Sequence, residues 1–584
     1  MKKQYRIPYR KIIILIVGVL LLIALFYSRF AGLDWGLPYP MHPDERNMVI
    51  AMFNMNCQGF SPFRCASPKF YAYGQLPMYF GYIIAQIFQI AAQTTEITIQ
   101  QYTLAIRTIS AIASSLSVIT LYKTFQKFSK HSLTLSIASI LILIFSPGAI
   151  QFAHFGTTES LLMLFVSLII YLSIGFIYDK ISRSKYILFT GIILGLALST
   201  KVSSVLFATV PLITFIVYGI SEKTSSTFIS NLFSLIKIGA ISGVFFIIGS
   251  PYNIIDWPGF VHSMNYESSV GLGTYKAFYT RQFEYTVPVI FQFIKIYPFT
   301  LGVPTTVIFF LGFILLPFKK RNIILWLSFF VLFLTSGFMY SKWSRFYAQT
   351  FPIMQLLVIS VLMIFDKIPL RTLRITALIV ITLVIITPGV AYLNIYQSED
   401  VRFIASKWMY ENIDKNSVIL AETANVVDVP MPSALVSEEK AMSKSLHPIS
   451  FNSYDVDNDP RLERELTENI DVAQYIFVPS RRVFWNHTCW VSDLKSNVKY
   501  YNYSSILSGY ETARCDKLGN TYPVLQTYYN KLIGGSLGFK QVAVFHVYPK
   551  IELFGKTLIE FPDESAEETW TVFDHPVVRI YKKV

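Results

Sequence analysis

The chain has 584 residues, 53% of them apolar, 16% aromatic and only 15% charged, with a mean hydropathy of +0.46. A soluble domain is about one quarter charged, so this composition excludes an ordinary water-soluble globule and points to lipid as solvent. The formal charge of +14 does not argue for nucleic acid, because much of it lies in short clusters between apolar blocks, as the positive-inside rule expects.

The apolar blocks are roughly 18 to 22 residues long, enough to cross a hydrocarbon core, and lack the short alternating segments of a β-barrel. The first, over 12–30, has no small-residue cleavage site behind it and reads as a retained span rather than a signal peptide. Further spans are expected from near Thr103, Ser132, Glu159, Tyr186, Val202, Asn231, Val303, Asn322, Phe351 and Ile375. Two more apolar stretches, 76–92 and 287–301, are ambiguous. The Lys/Arg clusters at 2–11, 123–130, 180–185, 319–321 and 367–374 share one side only if neither stretch crosses. Both are therefore assigned to interfacial or re-entrant helices on the outer face. That leaves about eleven crossings, with the N-terminus inside and the C-terminus outside, in a multi-pass protein of the plasma membrane.

This topology puts 31–101, 151–158, 251–302, 341–350 and everything after about 396 outside. Cys57, Cys65, Cys489 and Cys515 all fall in those segments. Pairing of Cys57 with Cys65 and of Cys489 with Cys515 suits an oxidising exterior. Sequons at Asn486 and Asn502 lie on the same side. From about Glu399 the composition becomes that of a globular domain. "VRFIASKWMYENI" has helical spacing, and "SVILAE", "QYIFVPS", "KQVAVFHVYP" and "PVVRIYKK" read as strands. The expected organisation is a membrane catalytic part, 1–397, with 31–101 as its first outer loop. A mixed α/β extracytoplasmic domain follows over 398–584, large enough for its own core.

The stretch "GLPYPMHPDERNMVIAMF" (36–53) follows the first span directly. Pro43 suits the first turn of a helix, and Asp44 and Glu45 behind it favour the helix dipole, so capping competes with chemistry as their purpose. Neighbouring helical residues diverge by about 100°. One acid can therefore face a cavity while the other anchors the loop. Other ionisable residues fall on the same side: His154 and Glu159 in "FAHFGTTES", Lys201 in "STKVSS", and Asp256, Lys276, Arg281, Glu284, Lys342 and Arg345. Such groups are costly at bilayer depth and usually functional, although a lone base can simply snorkel. As a set, they suit a site that grips a lipid-linked phosphate and activates a hydroxyl.

The ordered series "HPDER", "PKFYAYGQLP", "LAIRTISAIASSLSVITLYK", "SPGAIQFAHFGTTES", "GLALSTK", "GSPYNIID" and "KWSRFYAQTFP" resembles the GT-C superfamily of glycosyltransferases that use lipid-phosphate sugars. Within it, the chain looks most like the dolichyl-phosphate-mannose protein mannosyltransferase group, which includes the lipid A aminoarabinose transferases. The resemblance spans roughly residues 10–400. It implies that the acid of the first outer loop, Asp44 with Glu45 beside it, is the catalytic position, and that Glu159 is a second acid, where the family often has Asp. His42 and His154 are candidate substrate-binding residues beside these acids. Arg107, Lys69, Lys201 and Arg345 match basic residues, with Lys69 matching in a different local spacing. "ETWTVFDHPVVRIYKK" also looks like a tail seen in this group, without an assigned role.

The expected reaction is an inverting transfer from a polyprenyl- or dolichyl-phosphate sugar to a hydroxyl of a protein, glycolipid or glycan at the outer leaflet. Asp44 takes the hydroxyl proton, and Arg107, Arg345 or Lys69 steadies the departing phosphate. No Gly-rich phosphate loop is present and no cofactor is expected. The one possible metal site would be a divalent ion among His42, Asp44, Glu45 and Glu159. Two alternatives remain: a membrane transporter whose charges line a path, and a non-catalytic envelope scaffold.

Overall fold

The computed structural model describes residues 9–55, 67–128, 131–222, 225–423, 429–431, 442–484 and 505–584. Among them, eight helices are long and apolar enough to cross a membrane, or nine if a bent pair counts as one span. Two more of the expected spans, Arg183–Leu198 and Lys320–Gly337, are helices of 16 and 18 residues that do not reach that length and hydropathy. The second ambiguous stretch is broken into a short helix, Ile290–Lys295, and a π turn, Pro298–Gly302. The π turn merges with the next helix, so that candidate span runs over Pro298–Leu315 and begins before Val303.

The elements that carry the site are α1 (Tyr9–Phe30), α2 (Pro43–Phe53), α3 (Leu76–Ala92), α4 (Ile99–Gln126), α5 (Leu133–Ile144), α6 (Pro147–His154) and α7 (Glu159–Ile177). Helices α4 and α7 are central: 72% and 83% of their apolar windows are buried, against 11% for α1. Small residues let them approach, and Ser117 Oγ meets Ser167 Oγ at 3.0 Å. Helices α5 and α6 form the bent pair, turning 45° at Phe145–Ser146. A break inside lipid frees backbone carbonyls that must find donors. Arg29, fully buried at the end of α1, supplies them: its Nη2 donates to the Ile144 carbonyl at 2.8 Å, and its Nε to Ser114 Oγ at 2.9 Å.

The sheet of the C-terminal part runs β2–β1–β3–β7–β4, where β1 is Val418–Glu422, β2 His447–Phe451, β3 Tyr475–Val478, β4 Phe539–Phe545 and β7 Val578–Lys583. Strands β1, β2 and β3 are parallel, and β7 is antiparallel to both β3 and β4. Four of these strands match those read from sequence. Strand β2 and the separate hairpin of β5 (Lys550–Leu553) and β6 (Lys556–Glu560) were not anticipated. Cys515 is disulfide-bonded, while Cys57, Cys65, Cys489, Asn486 and Asn502 lie outside the described residues.

Between β6 and β7 the chain leaves the sheet and buries 563–575 against the spans. Trp570 and Phe573 share one apolar core with Phe152 and Tyr392. A polar lock closes this segment. His575 sits between Asp574 Oδ1 at 2.6 Å and Asp563 Oδ2 at 2.9 Å, and Asp563 also accepts from Trp570 Nε1 at 2.9 Å. The other oxygen of Asp574 accepts from Tyr392 and Tyr396 of the last span (2.9 and 2.8 Å) and from Gln151 of α6 (3.2 Å).

Burial alone would lower the proton affinity of His575, but the Asp574 and Asp563 carboxylates outweigh it and hold the imidazole up at about 10. Burial works against the charged Asp574 as well, and there the His575 charge prevails and keeps the carboxyl below its ordinary value. The stabilisation from His575 is therefore complete below its ordinary value of 6.5 and is lost as pH rises through about 10. That from Asp574 is lost only at acid pH, below its ordinary 3.8. His575→Ala leaves two buried carboxylates without a countercharge and is expected to cost about 3–5 kcal/mol. Thermal unfolding of the solubilised protein at neutral pH checks this.

Candidate functional site

Helix α2 starts where the sequence motif puts it. Pro43 occupies its first turn, and His42 at the N-cap (φ −87°, ψ 122°) accepts the Asp44 N–H on Nδ1 at 3.2 Å. Only a neutral imidazole can accept there. Burial, followed by the charges of Arg345, Arg107 and Arg482, holds His42 well below its ordinary range, so the cap stays neutral. Its ring lies between Phe155 at 4.6 Å and Phe573 at 4.4 Å.

The two acids then separate. Glu45 is fully buried in a bidentate pair with Arg107: Oε1 takes Nη2 at 2.8 Å and Oε2 takes Nε at 2.8 Å. Oε2 also accepts the Gly156 N–H at 2.6 Å. A Cβ at position 156 would collide with Ile106 and Oε2, so the loop reaches this carboxylate only as glycine. The remaining amino group of Arg107 donates to the Leu33 and Trp35 carbonyls (2.7 and 2.8 Å), and its guanidinium lies 4.4 Å over the Trp35 ring. Every polar group of this pair is engaged and none faces an opening.

Asp44, one residue earlier, is ion-paired with Arg345, and the two side chains are 19% and 20% exposed. Arg345 belongs to a 3-10 turn, Ser344–Thr350, that leads into the helix Phe351–Phe365. Its guanidinium lies 4.7 Å over Trp343 and 5.9 Å over Phe346. The same Phe346 ring lies 5.5 Å from Lys201 Nζ, which also stands 5.2 Å over Tyr73 and 3.5 Å from Glu159 Oε1. Glu159, first residue of α7, is 2% exposed, and its Oε1 also accepts from Thr158 Oγ1 at 3.3 Å. Two acid–base pairs, Asp44–Arg345 and Glu159–Lys201, thus flank one aromatic side chain.

Three of the expected site residues are engaged by neighbouring protein groups. Both oxygens of Glu45 are taken up by Arg107 and the Gly156 N–H, and Arg107 in turn neutralises Glu45. His154 Nδ1 and Nε2 contact the Ile150 and Ala31 carbonyls at 2.8 and 2.9 Å, and the ring stacks on Tyr396 at 3.7 Å. Lys69 is exposed and has a positive φ of 49°. Asp256 caps the helix Trp257–Leu272 and accepts from Tyr71 at 2.6 Å. Lys276 pairs with Glu284 and Arg281 with Asp455. Lys342 donates to Thr286 and Tyr340, and burial lowers it to about 8. Among the described residues, no group of three or more His, Cys, Asp or Glu gathers in a way that could hold a metal ion.

The sequence reading missed the contribution of the C-terminal part. Arg482, just past β3, pairs with Glu568 at 2.9 Å and acts electrostatically on His42. Glu567 accepts the Ser344 N–H at 3.1 Å, next to Arg345. The only advance signal was the unexplained "ETWTVFDHP".

Residues 77–248 match the family model described as dolichyl-phosphate-mannose-protein mannosyltransferase. Over that stretch the chain resembles this GT-C group, as its motifs implied. The stretch takes in Arg107, His154, Glu159 and Lys201, while Asp44 precedes it and Arg345 follows it. Among solved structures, the chain is similar to ArnT from Cupriavidus metallidurans bound to undecaprenyl phosphate. That match has 11% identity, covers 80% of this chain and 92% of that one, and has a TM-score of 0.47. Similarity also extends to the oligosaccharyltransferase AglB from Archaeoglobus fulgidus in complex with an inhibitory peptide and a dolichol-phosphate. There the identity is 13%, the cover 80% of this chain and 70% of that one, and the TM-score 0.44. The S. cerevisiae protein O-mannosyltransferase Pmt1–Pmt2 complex bound to the sugar donor matches at 15% identity over 42% of this chain and 34% of that one, with TM-score 0.32. No curated protein matches.

Truncation separates the two acids of α2. Glu45→Ala strands a buried guanidinium and is expected to cost about 3–5 kcal/mol, whereas Asp44→Asn, which keeps the shape of the side chain and an acceptor oxygen beside Arg345, is expected to cost less. Thermal melting of both variants in one detergent checks this.

Proposed function

We propose that the chain is a glycosyltransferase that moves a sugar from a polyprenyl- or dolichyl-phosphate to a hydroxyl acceptor at the outer leaflet, with inversion. The carrying observation is the division of labour on α2. Glu45 is sealed with Arg107, and Asp44 is left in a partly open pair with Arg345 beside a second acid–base pair. The family match over 77–248 supports the reaction class.

In this reading Arg345 first pairs with Asp44, and the donor's phosphate then competes for the guanidinium, whose planar donors match phosphate geometry. The released carboxylate accepts the proton of the acceptor hydroxyl while its oxygen forms a bond to C1. The bond from C1 to the phosphate oxygen breaks, and the lipid phosphate leaves with the electron pair against Arg345. Glu159 and Lys201, across Phe346, are assigned to the sugar and the phosphate, which need an acceptor and a donor of hydrogen bonds respectively. No metal enters these steps. The membrane part, 1–397, holds the donor, and the domain 398–584 contacts the acceptor, a protein, glycolipid or glycan. The N-terminus is assigned to the cytoplasm.

The test uses purified protein in lipid and a radiolabelled polyprenyl-phosphate sugar. Asp44→Asn is expected to lower kcat about 10²–10⁴-fold with donor binding retained. Arg345→Ala should lower kcat about 10²–10³-fold and weaken the donor as well. A chelator should leave the wild-type rate unchanged. Full transfer by Asp44→Asn would reject the base assignment. Movement of a solute across vesicles without consumption of the lipid-linked sugar would replace the enzyme by a transporter.

A further inference from the structure

We propose that the tail segment 563–575 is a positioning element of the transfer site, holding both partners of the Asp44–Arg345 pair in register. The proposal rests on the reading of that pair as the reacting centre.

Each partner is gripped separately. On the acid's side, Phe573 covers the ring of His42, 4.4 Å between centroids, and His42 in turn caps the helix that carries Asp44. On the base's side, Glu567 Oε2 accepts the Ser344 N–H at 3.1 Å, and Thr569 Oγ1 meets Ser344 Oγ at 3.3 Å, one residue before Arg345. The grip is itself fastened at several points. The Glu567 carboxylate also takes the Thr569 N–H and hydroxyl, at 3.0 and 2.5 Å. Its carbonyl accepts from Arg481 Nη2 at 2.9 Å, and its own N–H donates to the Lys295 carbonyl at 2.8 Å. Arg402 Nη2 donates to the Phe573 carbonyl at 2.8 Å. The His575 lock then ties the end of the segment to the last span and to α6. A segment that served only to fill space would not need hydrogen bonds to the backbone beside Arg345.

The arrangement has a chemical signature that ordinary packing lacks. His42 must be neutral to accept the Asp44 N–H. The charged groups facing it are Arg345 from the 3-10 turn, Arg107 from α4 and Arg482 from the sheet domain, with Asp44 and Glu45 on its own helix. Phe573 keeps water from the ring. Without that ring water reaches the imidazole and relieves part of the burial that is the first cause of its low proton affinity, so His42 takes up a proton more readily than in the wild type. Once protonated, it can no longer cap α2.

The experiment uses the full chain in lipid nanodiscs, with Phe573→Ala, Phe573→Leu and Phe573→Ala combined with His42→Asn. Asparagine keeps a cap acceptor but does not titrate. Two readouts are taken at about pH 5.5 and about pH 8, either side of an ordinary histidine pKa. They are amide exchange of the peptide 43–53, and kcat and KM for the lipid-linked sugar. Phe573→Ala should exchange faster than wild type at the acid pH only. Its kcat should fall about tenfold or more there, with KM changed less than about threefold. Phe573→Leu should restore both, and His42→Asn should abolish the acid limb. Wild-type exchange and pH profile in Phe573→Ala would overturn the proposal. So would a loss that is equal at both pH values and untouched by His42→Asn. If Phe573→Ala fails to fold, Phe573→Val carries the same readouts. If the wild type never consumes the donor, the functional reading fails, and the exchange measurement still decides the positioning role.

Discussion

The structure turns on the sealed ion pair between Glu45 and Arg107. It crosses from the first turn of α2 to the central helix α4, and a backbone N–H of the 155–158 turn donates into it. A buried charge pair is tolerated only when every donor and acceptor is met. Here the demand is satisfied by Gly156, by the Leu33 and Trp35 carbonyls and by the Trp35 face. Meeting it fixes the start of α2 to within the tolerance of a hydrogen bond. Because adjacent helical residues point about 100° apart, fixing Glu45 inward also turns Asp44 toward Arg345. The direction of Asp44 is thus a consequence of where its neighbour is buried.

The same logic ties the helical part to the C-terminal sheet region. Helices alone meet their backbone groups internally, but the break at Phe145–Ser146 and the 3-10 turn at Ser344–Thr350 do not. Arg29 repairs the first from within the membrane part. Glu567 repairs the second from a segment that belongs, in chain order, to the sheet domain. Irregular backbone is what lets Arg345 point at Asp44 instead of along a helix face. The cost of that irregularity is met by importing a carboxylate from more than two hundred residues away in sequence.

How far this was legible follows from the range of each interaction. Helix α2 was readable because His42, Pro43 and the two acids are a local signal, and the opposed directions of Asp44 and Glu45 follow from helical pitch. The bounds of α3 and the strands β1, β3, β4 and β7 came from period and β-branched content. Strand β2 escaped because "HPISF" opens with His-Pro and has little alternation, which suits an edge strand. The partner of Arg107 was not legible. An arginine at a helix end has the same sequence signature whether it meets a phosphate or a buried glutamate 62 positions away. The partner of His154 was hidden for the same reason, since stacking on Tyr396 leaves no local trace.

The tail shows this limit most clearly. "ETWTVFDHP" has no helical or strand period, because its residues answer to four different neighbours rather than to one face. Glu567 and Glu568 turn to the 3-10 turn and to Arg482, Trp570 and Asp574 turn to the last span, and Phe573 turns to His42. Each side chain is dictated by tertiary contact, so the sequence looks arbitrary where it is most constrained. The lock at its end is charged over the whole neutral range, since His575 is held up and Asp574 held down by each other. A clamp built this way resists pH, while the His42 cap it protects depends on staying uncharged. Opposite demands on two histidines meet at one segment of thirteen residues, which keeps His575 protonated between its own carboxylates and covers, through Phe573, the His42 kept neutral by burial and by arginines from elsewhere.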